Sequence, residues 1–513
     1  MRAVRRPSAL IDSRRRHDRL LWGGLGLVVA AAAVAVRVWT YRSVLGTTNA
    51  DESVVGLMVR RALDGELTAF YWGQAYGGTQ EVLLTVPVFL VTGTSLLGLR
   101  LVVFLLSAVA AYLVWRVGRR TIGSPAAEVA TGVFALWPAV SVWFLTRQQG
   151  FYASNVVYCA LLLLLALRLV ERPDRRRVAL FAFVLGLAFW QTAQIIPVAV
   201  GMLAWTIWSR PRLLRELWVA VPLFVLGALP FFAWNALNGW ESFSSHGQTD
   251  YVGSLRLFFP TMVAMTIGLR TPFSTEPLVP TLLLYPLYLA IAAAFAYGAY
   301  RSRGRPVSLL YTVAATFPFV YALSPQTAVL NPRFIVVLAP VLALLFAQLA
   351  TTYRRAVAVL AAAFVLSTVS LVRMDGWFRE LTGVTPANVY GPRGIVEVVP
   401  RDLDPLVAEL DRLDLDRVFA DYWLAYRLTF DTRERIIAAE SSLAELEEVG
   451  GRVVPVTHPH VRYRPYEREV RAARAGYVLY RDLVSSVPVA AELERRGFAR
   501  HEVDGYVIYV PPR

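Results

Sequence analysis

Asp51 and Glu52 stand side by side just beyond the first apolar run of a chain that otherwise avoids acidic residues for long stretches. They head an amphipathic segment, Asp51 to Glu66, that carries too much charge to sit in lipid. A carboxylate held at a bilayer surface, close to spanning helices, suits a general base acting on a lipid-linked substrate. A local reading competes with this one. Acidic residues in a first helical turn favour the helix dipole, and Thr47, Thr48 and Asn49 just before them fit a cap.

The elements that position this pair belong to a membrane protein. The chain has 513 residues, 56% of them hydrophobic, with a formal net charge of +15. Every basic residue apart from the histidines is Arg, which points to base composition rather than to nucleic-acid binding. The single cysteine, Cys159, rules out an internal disulfide. Apolar runs of bilayer-crossing length recur, and eleven candidate spans result: 20–40, 99–117, 126–144, 152–170, 178–192, 194–209, 217–235, 279–299, 307–323, 334–351 and 356–373. The basic segment 1–19 precedes a run too long for a cleaved signal, so a retained anchor is expected. With the N-terminus in the cytoplasm, the inner loops hold Arg clusters such as Arg116/Arg119/Arg120 and Arg172/Arg175/Arg176/Arg177. The outer loops carry mostly single residues: Arg147, Arg270 and Arg333. That is the positive-inside pattern. Fusing 178–209 into one span would reverse it.

The expected organisation is a transmembrane domain over 20–373, with a long first outer loop at 41–98, and an extracytoplasmic α/β domain over 374–513. In the loop, Tyr71-Trp72-Gly73-Gln74-Ala75-Tyr76-Gly77-Gly78 precedes an apolar stretch, Val82 to Val91, too short to span and better suited to a re-entrant or interfacial position. In the tail, 405–413 and 467–475 read as helices and 477–480 and 506–510 as strands.

Taken together, this pattern resembles the GT-C superfamily of integral-membrane glycosyltransferases, in the branch of protein O-mannosyltransferases and the lipid A aminoarabinose transferase. The residues that carry the resemblance are Asp51-Glu52, the segment Gly93-Thr94-Ser95-Leu96-Leu97-Gly98-Leu99-Arg100, Gly227-Ala228-Leu229-Pro230 with Asn235, and Asn331-Pro332-Arg333-Phe334. The tail segment Ala420 to Arg427 is similar to one in bacterial members, though no chemistry attaches to it.

The resemblance implies inverting transfer of a sugar from a polyprenyl-phosphate donor to a lipid, glycan or protein hydroxyl, at the outer face of a bacterial plasma membrane. Phosphate is already a good leaving group, so one carboxylate suffices, and cations receive the departing charge. Glycoside hydrolysis differs, because its alcohol leaving group calls for two carboxylates. Asp51 is then the candidate base, Glu52 orients the acceptor or shares the role, and Glu81 is a second candidate acid. Arg333, Arg147 and Arg60 (or Arg61) are candidates for the donor phosphate. Against this, Arg333 could anchor to lipid headgroups and Arg60/Arg61 could form a solvated face. Tyr71, Trp72 and Tyr76 could stack on a sugar or serve as interfacial belt residues.

No metal site is expected. His458-Pro459-His460 reads as tail surface, and Asp402-Leu403-Asp404 and Asp414-Leu415-Asp416 flank a tail helix. No cofactor is implied, although a divalent cation stays open because some relatives use one. The short loop Thr146 to Tyr152 lacks the acid that many relatives place there. No nucleic acid is expected as a partner, only membrane lipid and the two substrates. A transporter or lipid flippase would instead place ionisable residues mid-span. Gln191, Gln194 and Asn235 are uncharged and lie near span ends. A scaffold with a partner-binding tail is the third alternative.

Overall fold

The computed structural model of the chain describes residues 8–244, 250–273, 276–324, 331–381, 402–441, 445–456, 461–481, 484 and 488–512. Helices fill the first part. α1 (Ser8–Arg42) is followed by α2 (Ala50–Leu63) and α3 (Gln80–Thr92), which occupy the segment expected as a first outer loop. Next come α4 (Leu96–Thr121), α5 (Ala126–Leu136), α6 (Ala139–Phe144), α7 (Tyr152–Glu171), α8 (Arg175–Gln191) and α9 (Ile196–Ser209). α10 (Leu217–Gly227) and α11 (Leu229–Leu237) lead to the short α12 (Tyr251–Leu257) and α13 (Val263–Thr266). α14 (Thr281–Arg301), α15 (Ser308–Tyr321), α16 (Ala339–Ala347) and α17 (Tyr353–Leu381) complete the bundle.

Among the described residues, five helices are long and apolar enough to cross a membrane: Leu20–Arg42 of α1, α4, α7, α14 and Tyr353–Glu380 of α17. The segments Pro211–Gly227 and Leu229–Leu237 meet at a 67° bend and make a sixth if they cross together. The other expected spans fall on shorter pieces: α5 with α6, α8, α9, α15, and a 3-10 turn (Pro332–Leu338) with α16. Backbone chemistry explains the breaks. Pro138 cannot donate into a continuing helix and holds Trp137 extended, which divides 126–144 into α5 and α6. Thr192 is likewise extended, and its hydroxyl accepts from the Gln194 amide, so 178–209 is two helices and not one.

α7 is central. Its run from Leu161 to Leu167 is apolar all round, as suits a helix with 72% of its apolar window buried, against 6% for α1 and α14 at the periphery. α8 and α10 touch backbone to backbone: a Cβ on Gly186 would lie 2.1 Å from the Phe224 carbonyl oxygen, and one on Gly227 2.2 Å from that of Phe183. This gives the Gly227 motif a packing reason.

α17 continues past 373 to Leu381, and the tail unit begins at α18 (Asp404–Arg412). β1 (Arg417–Ala420), α19 (Tyr422–Asp431) and β2 (Ile437–Glu440) follow, then a hairpin of β3 (Leu446–Val449) and β4 (Arg452–Pro455). α20 (Arg464–Ala472), β5 (Gly476–Tyr480), α21 (Pro488–Arg495), β6 (Ala499–Val503) and β7 (Tyr506–Val510) complete it. The five-stranded sheet has the order β2-β1-β5-β7-β6, parallel at β1 with β2 and β5, and antiparallel at β7 with its neighbours. Leu406, Leu410, Val418, Leu424, Val478 and Ile508 form part of its own core.

The tail docks through α19 onto α2. Gly56 permits the approach, since a Cβ there would lie 2.2 Å from the Phe430 ring. Around this contact, Arg60 pairs with Glu434 at 2.9 Å, Arg61 pairs with the same carboxylate, and Tyr466 donates to it at 2.6 Å. Trp72 stacks on Tyr463 at 4.0 Å between ring centroids.

Candidate active site

The site begins with a cap. Asn49, extended at the start of α2, accepts a hydrogen bond from the Glu52 amide at 3.0 Å, so Asp51 and Glu52 enter the first turn together. The cap reading is therefore correct as local structure, with Asn49 as the residue that performs it. Successive helical residues point about 100° apart, and the two carboxylates consequently face different surroundings.

Glu52 points inward and is fully buried. Arg100 meets it side-on, with Nε 2.7 Å from Oε1 and Nη2 2.6 Å from Oε2. The Gln148 amide donates to Oε1 at 3.0 Å, and the Arg147 Nε lies 3.9 Å from Oε2. Burial pushes this carboxyl up, but Arg100, Arg147 and the Gln148 amide outweigh it and hold it below the usual range. Two expectations need correction. Glu52 has no face left for an acceptor and instead ties α2 to α4 and to the loop before α7. Arg147, only 4% exposed and lying 5.1 Å over the Trp143 ring, is buried near that carboxylate instead of open to a donor phosphate. Arg60 and Arg61 also leave the phosphate role, because Glu434 of the tail takes both. Nor are they a solvated face.

Asp51 is half-buried on the other side of the turn. Tyr422, at the start of α19, donates its hydroxyl to Oδ1. Oδ2 has no hydrogen-bond partner among the described residues. Arg462 lies within electrostatic reach of Asp51 and Tyr76, and 5.3 Å over the Tyr422 ring. Burial works against the Arg462 cation, yet Tyr422, Asp51, Tyr76 and Glu440 more than restore it, so it stays charged. Tyr152, at the start of α7, feels both Asp51 and Arg333. Arg333 is half-buried in the Pro332–Leu338 turn, which Asn331 caps at 3.1 Å, and lies 4.9 Å over Phe334. Tyr422 of α19 thus bonds Asp51, the charge of Asp51 reaches Tyr152 of α7, and Arg333 acts on the same tyrosine.

Glu81 is buried in the first turn of α3. Its Oε1 accepts from the Ser154 amide at 2.8 Å and hydroxyl at 2.7 Å. Burial pushes its carboxyl up to about 7, against the pull of those donors. Tyr71 links the two acids: burial, then Glu81 and Asp51, push its hydroxyl well above the usual tyrosine range. Both acids therefore act on Tyr71, Glu81 the more strongly. Of the three aromatics in the loop, Tyr71 is buried against Gly150 and Phe151. Trp72 is committed to Tyr463, so neither a sugar nor the interfacial belt has its face. Tyr76, 46% exposed, keeps an accessible ring.

Tyr422, Arg462 and Tyr152 were missing from the sequence-based set. Tyr422 lies in the Ala420–Arg427 segment that had carried a likeness without a role. Among the described residues, no group of three or more His, Cys, Asp or Glu is placed to hold a metal ion. His246, His458 and His460 lie outside the described residues. The groups around Asp51 are cationic and phenolic, a set suited to receiving negative charge.

Comparisons with known proteins address the fold. Residues 84–235 match the family model for dolichyl-phosphate-mannose-protein mannosyltransferase. No curated protein sequence matches the chain. The crystal structure of ArnT from Cupriavidus metallidurans in the apo state aligns with a TM-score of 0.62 at 13% identity, over 96% of this chain and 99% of that one. The same protein bound to undecaprenyl phosphate aligns with a TM-score of 0.60 at 14% identity and equal coverage. The bundle and tail described above therefore have an ArnT-like fold, in a chain that carries apolar helices of membrane-crossing length.

Proposed function

We propose that the chain is an inverting glycosyltransferase that moves a sugar from a polyprenyl-phosphate donor to an acceptor hydroxyl at the outer face of the plasma membrane. The observation that carries this reading is the Asp51 carboxylate, with one oxygen held by Tyr422 and the other open. The acceptor hydroxyl gives its proton to Oδ2 as its oxygen attacks the anomeric carbon from the face opposite the phosphate, which inverts the centre. The bond to the phosphate oxygen breaks, and the electron pair leaves with the polyprenyl phosphate. Arg333, whose charge acts on Tyr152, is the cation that receives that charge on this reading. Undecaprenyl phosphate bound to the similarly folded ArnT supports a lipid phosphate as the leaving group.

The test is reconstitution of the full chain with undecaprenyl-phosphate hexoses and pentoses carrying a radiolabel, in the presence of a cell-envelope fraction. Wild type moves label into the envelope acceptor and the Asp51→Asn variant does not. Equal turnover by the two proteins would remove Asp51 as the base.

A further inference from the structure

The C-terminal domain supplies two of the residues closest to the candidate base, although it begins beyond the last apolar helix. We propose that this domain is a working part of the active site: Tyr422 is the positioning residue for Asp51, and transfer requires the docked tail. The inference rests on the transferase reading given above. Several observations carry it together.

First, the contact is directional. A half-exposed aspartate in a first helical turn has several staggered side-chain rotamers available. The Tyr422 hydroxyl holds Oδ1 and so selects one of them, which leaves Oδ2 without a hydrogen-bond partner among the described residues. Charge-assisted hydrogen bonds of this type are short and strong.

Second, Tyr422 is itself fixed. Asp421 accepts from the Trp423 amide at 2.7 Å and the Leu424 amide at 3.3 Å, which sets the first turn of α19. The Trp423 ring packs edge-on at 4.7 Å, Tyr426 lies 5.5 Å away, and Arg462 covers the ring. Arg462 in turn donates to the Trp72 carbonyl at 3.3 Å, which joins the tail to the aromatic loop.

Third, the docking surface is built for one position. Gly56 leaves room for Phe430 alone, Glu434 gathers Arg60, Arg61 and Tyr466, and Tyr463 stacks on Trp72 while donating to Glu66 at 2.8 Å. A tail acting only as a tether would need none of this. During transfer Tyr422 keeps its own proton. The acceptor proton goes to Oδ2, the anomeric carbon exchanges its phosphate oxygen for the acceptor oxygen, and the lipid phosphate leaves with the electron pair.

The experiment compares two hydroxyl deletions on one helix in the full chain, using the labelled undecaprenyl-phosphate sugars named above. Tyr422→Phe lowers kcat about tenfold, with KM held within about twofold, because one charge-assisted bond to the base is gone and no substrate contact is. Tyr426→Phe removes a more deeply buried hydroxyl that donates to Glu440 and accepts from the Tyr463 amide, each at 3.1 Å, but does not touch Asp51, and it keeps kcat within about twofold of wild type. Limited trypsin digestion of each protein reports whether the tail stays docked. A Tyr422→Phe protein with wild-type kcat overturns the inference while leaving the transferase reading in place. Equal losses in both variants, with a loosened tail, also overturn it, since that is the result of general packing damage. A wild-type protein that transfers no sugar removes the transferase reading, and this inference with it.

Discussion

Asp51 and Glu52 are neighbours in sequence and in the same helical turn, yet they occupy opposite kinds of site. Glu52 faces a closed interior in which Arg100, Arg147 and a backbone amide consume its charge. Asp51 faces a junction between the bundle and the tail where a single phenol holds one oxygen. A carboxylate becomes a reagent when part of its hydrogen-bonding capacity is left over. Full satisfaction makes it a strut.

The sharpest way to break this comparison is to remove the two charges separately. Asp51→Asn is expected to cut transfer by roughly two to four orders of magnitude, the range of a lost general base. Its thermal stability should fall by about 1–2 kcal/mol, because the charge-assisted bond from Tyr422 becomes a neutral one. Steady-state transfer and melting of the same preparation give both values. Glu52→Gln should do the reverse in emphasis, costing about 3–5 kcal/mol of stability because Arg100 is left buried without its counter-charge. Pairing it with Arg100→Met should recover most of that loss, since neither charge then stays alone. A Glu52→Gln protein as stable as wild type but inactive would place Glu52 back among the reacting groups.

Glu81 sharpens the contrast through pH. Its folded-state carboxyl is raised to about 7 from an ordinary 4.5, so the folded protein binds the extra proton. Stability contributed here is full below about 4.5 and declines as pH rises to about 7, by roughly 3 kcal/mol in all. Glu81→Gln should flatten that slope in melts collected from pH 4.5 to 8. A slope unchanged by the substitution would assign it to other groups. The smallest effect concerns the latch: Glu434→Ala should cost about 2 kcal/mol, the scale of hydrogen bonds to a charged group, and speed tryptic release of the tail.

Much of the bundle was legible from the length of its apolar runs, and α7 most clearly, because a helix buried on every side needs no polar stripe. The breaks were less so. Pro138 stands in plain sight within 126–144, but periodicity alone does not say whether a proline bends a span or divides it. In the candidate site, Asp51 stood out because a charge beside an apolar run is costly and needs a reason. Glu52 reads from the sequence as an accessory to that base and not as an internal strut, since its partner Arg100 arrives from another helix. The Arg60/Arg61 pair looked solvated because Glu434 lies in the tail, and Trp72 looked like a belt residue because Tyr463 does too. Each error has the same origin: the deciding partner is contributed by a remote segment, and local patterning carries no trace of it.

The contact between Tyr422 and Asp51 joins residues 371 positions apart. A ribosome therefore delivers the carboxylate early and its phenol only when most of the polypeptide has been made. Throughout that interval the bundle holds a carboxylate that Tyr422 has not yet fixed. On the proposed reading, transfer waits for the completed chain, and a chain that stops short before α19 lacks it.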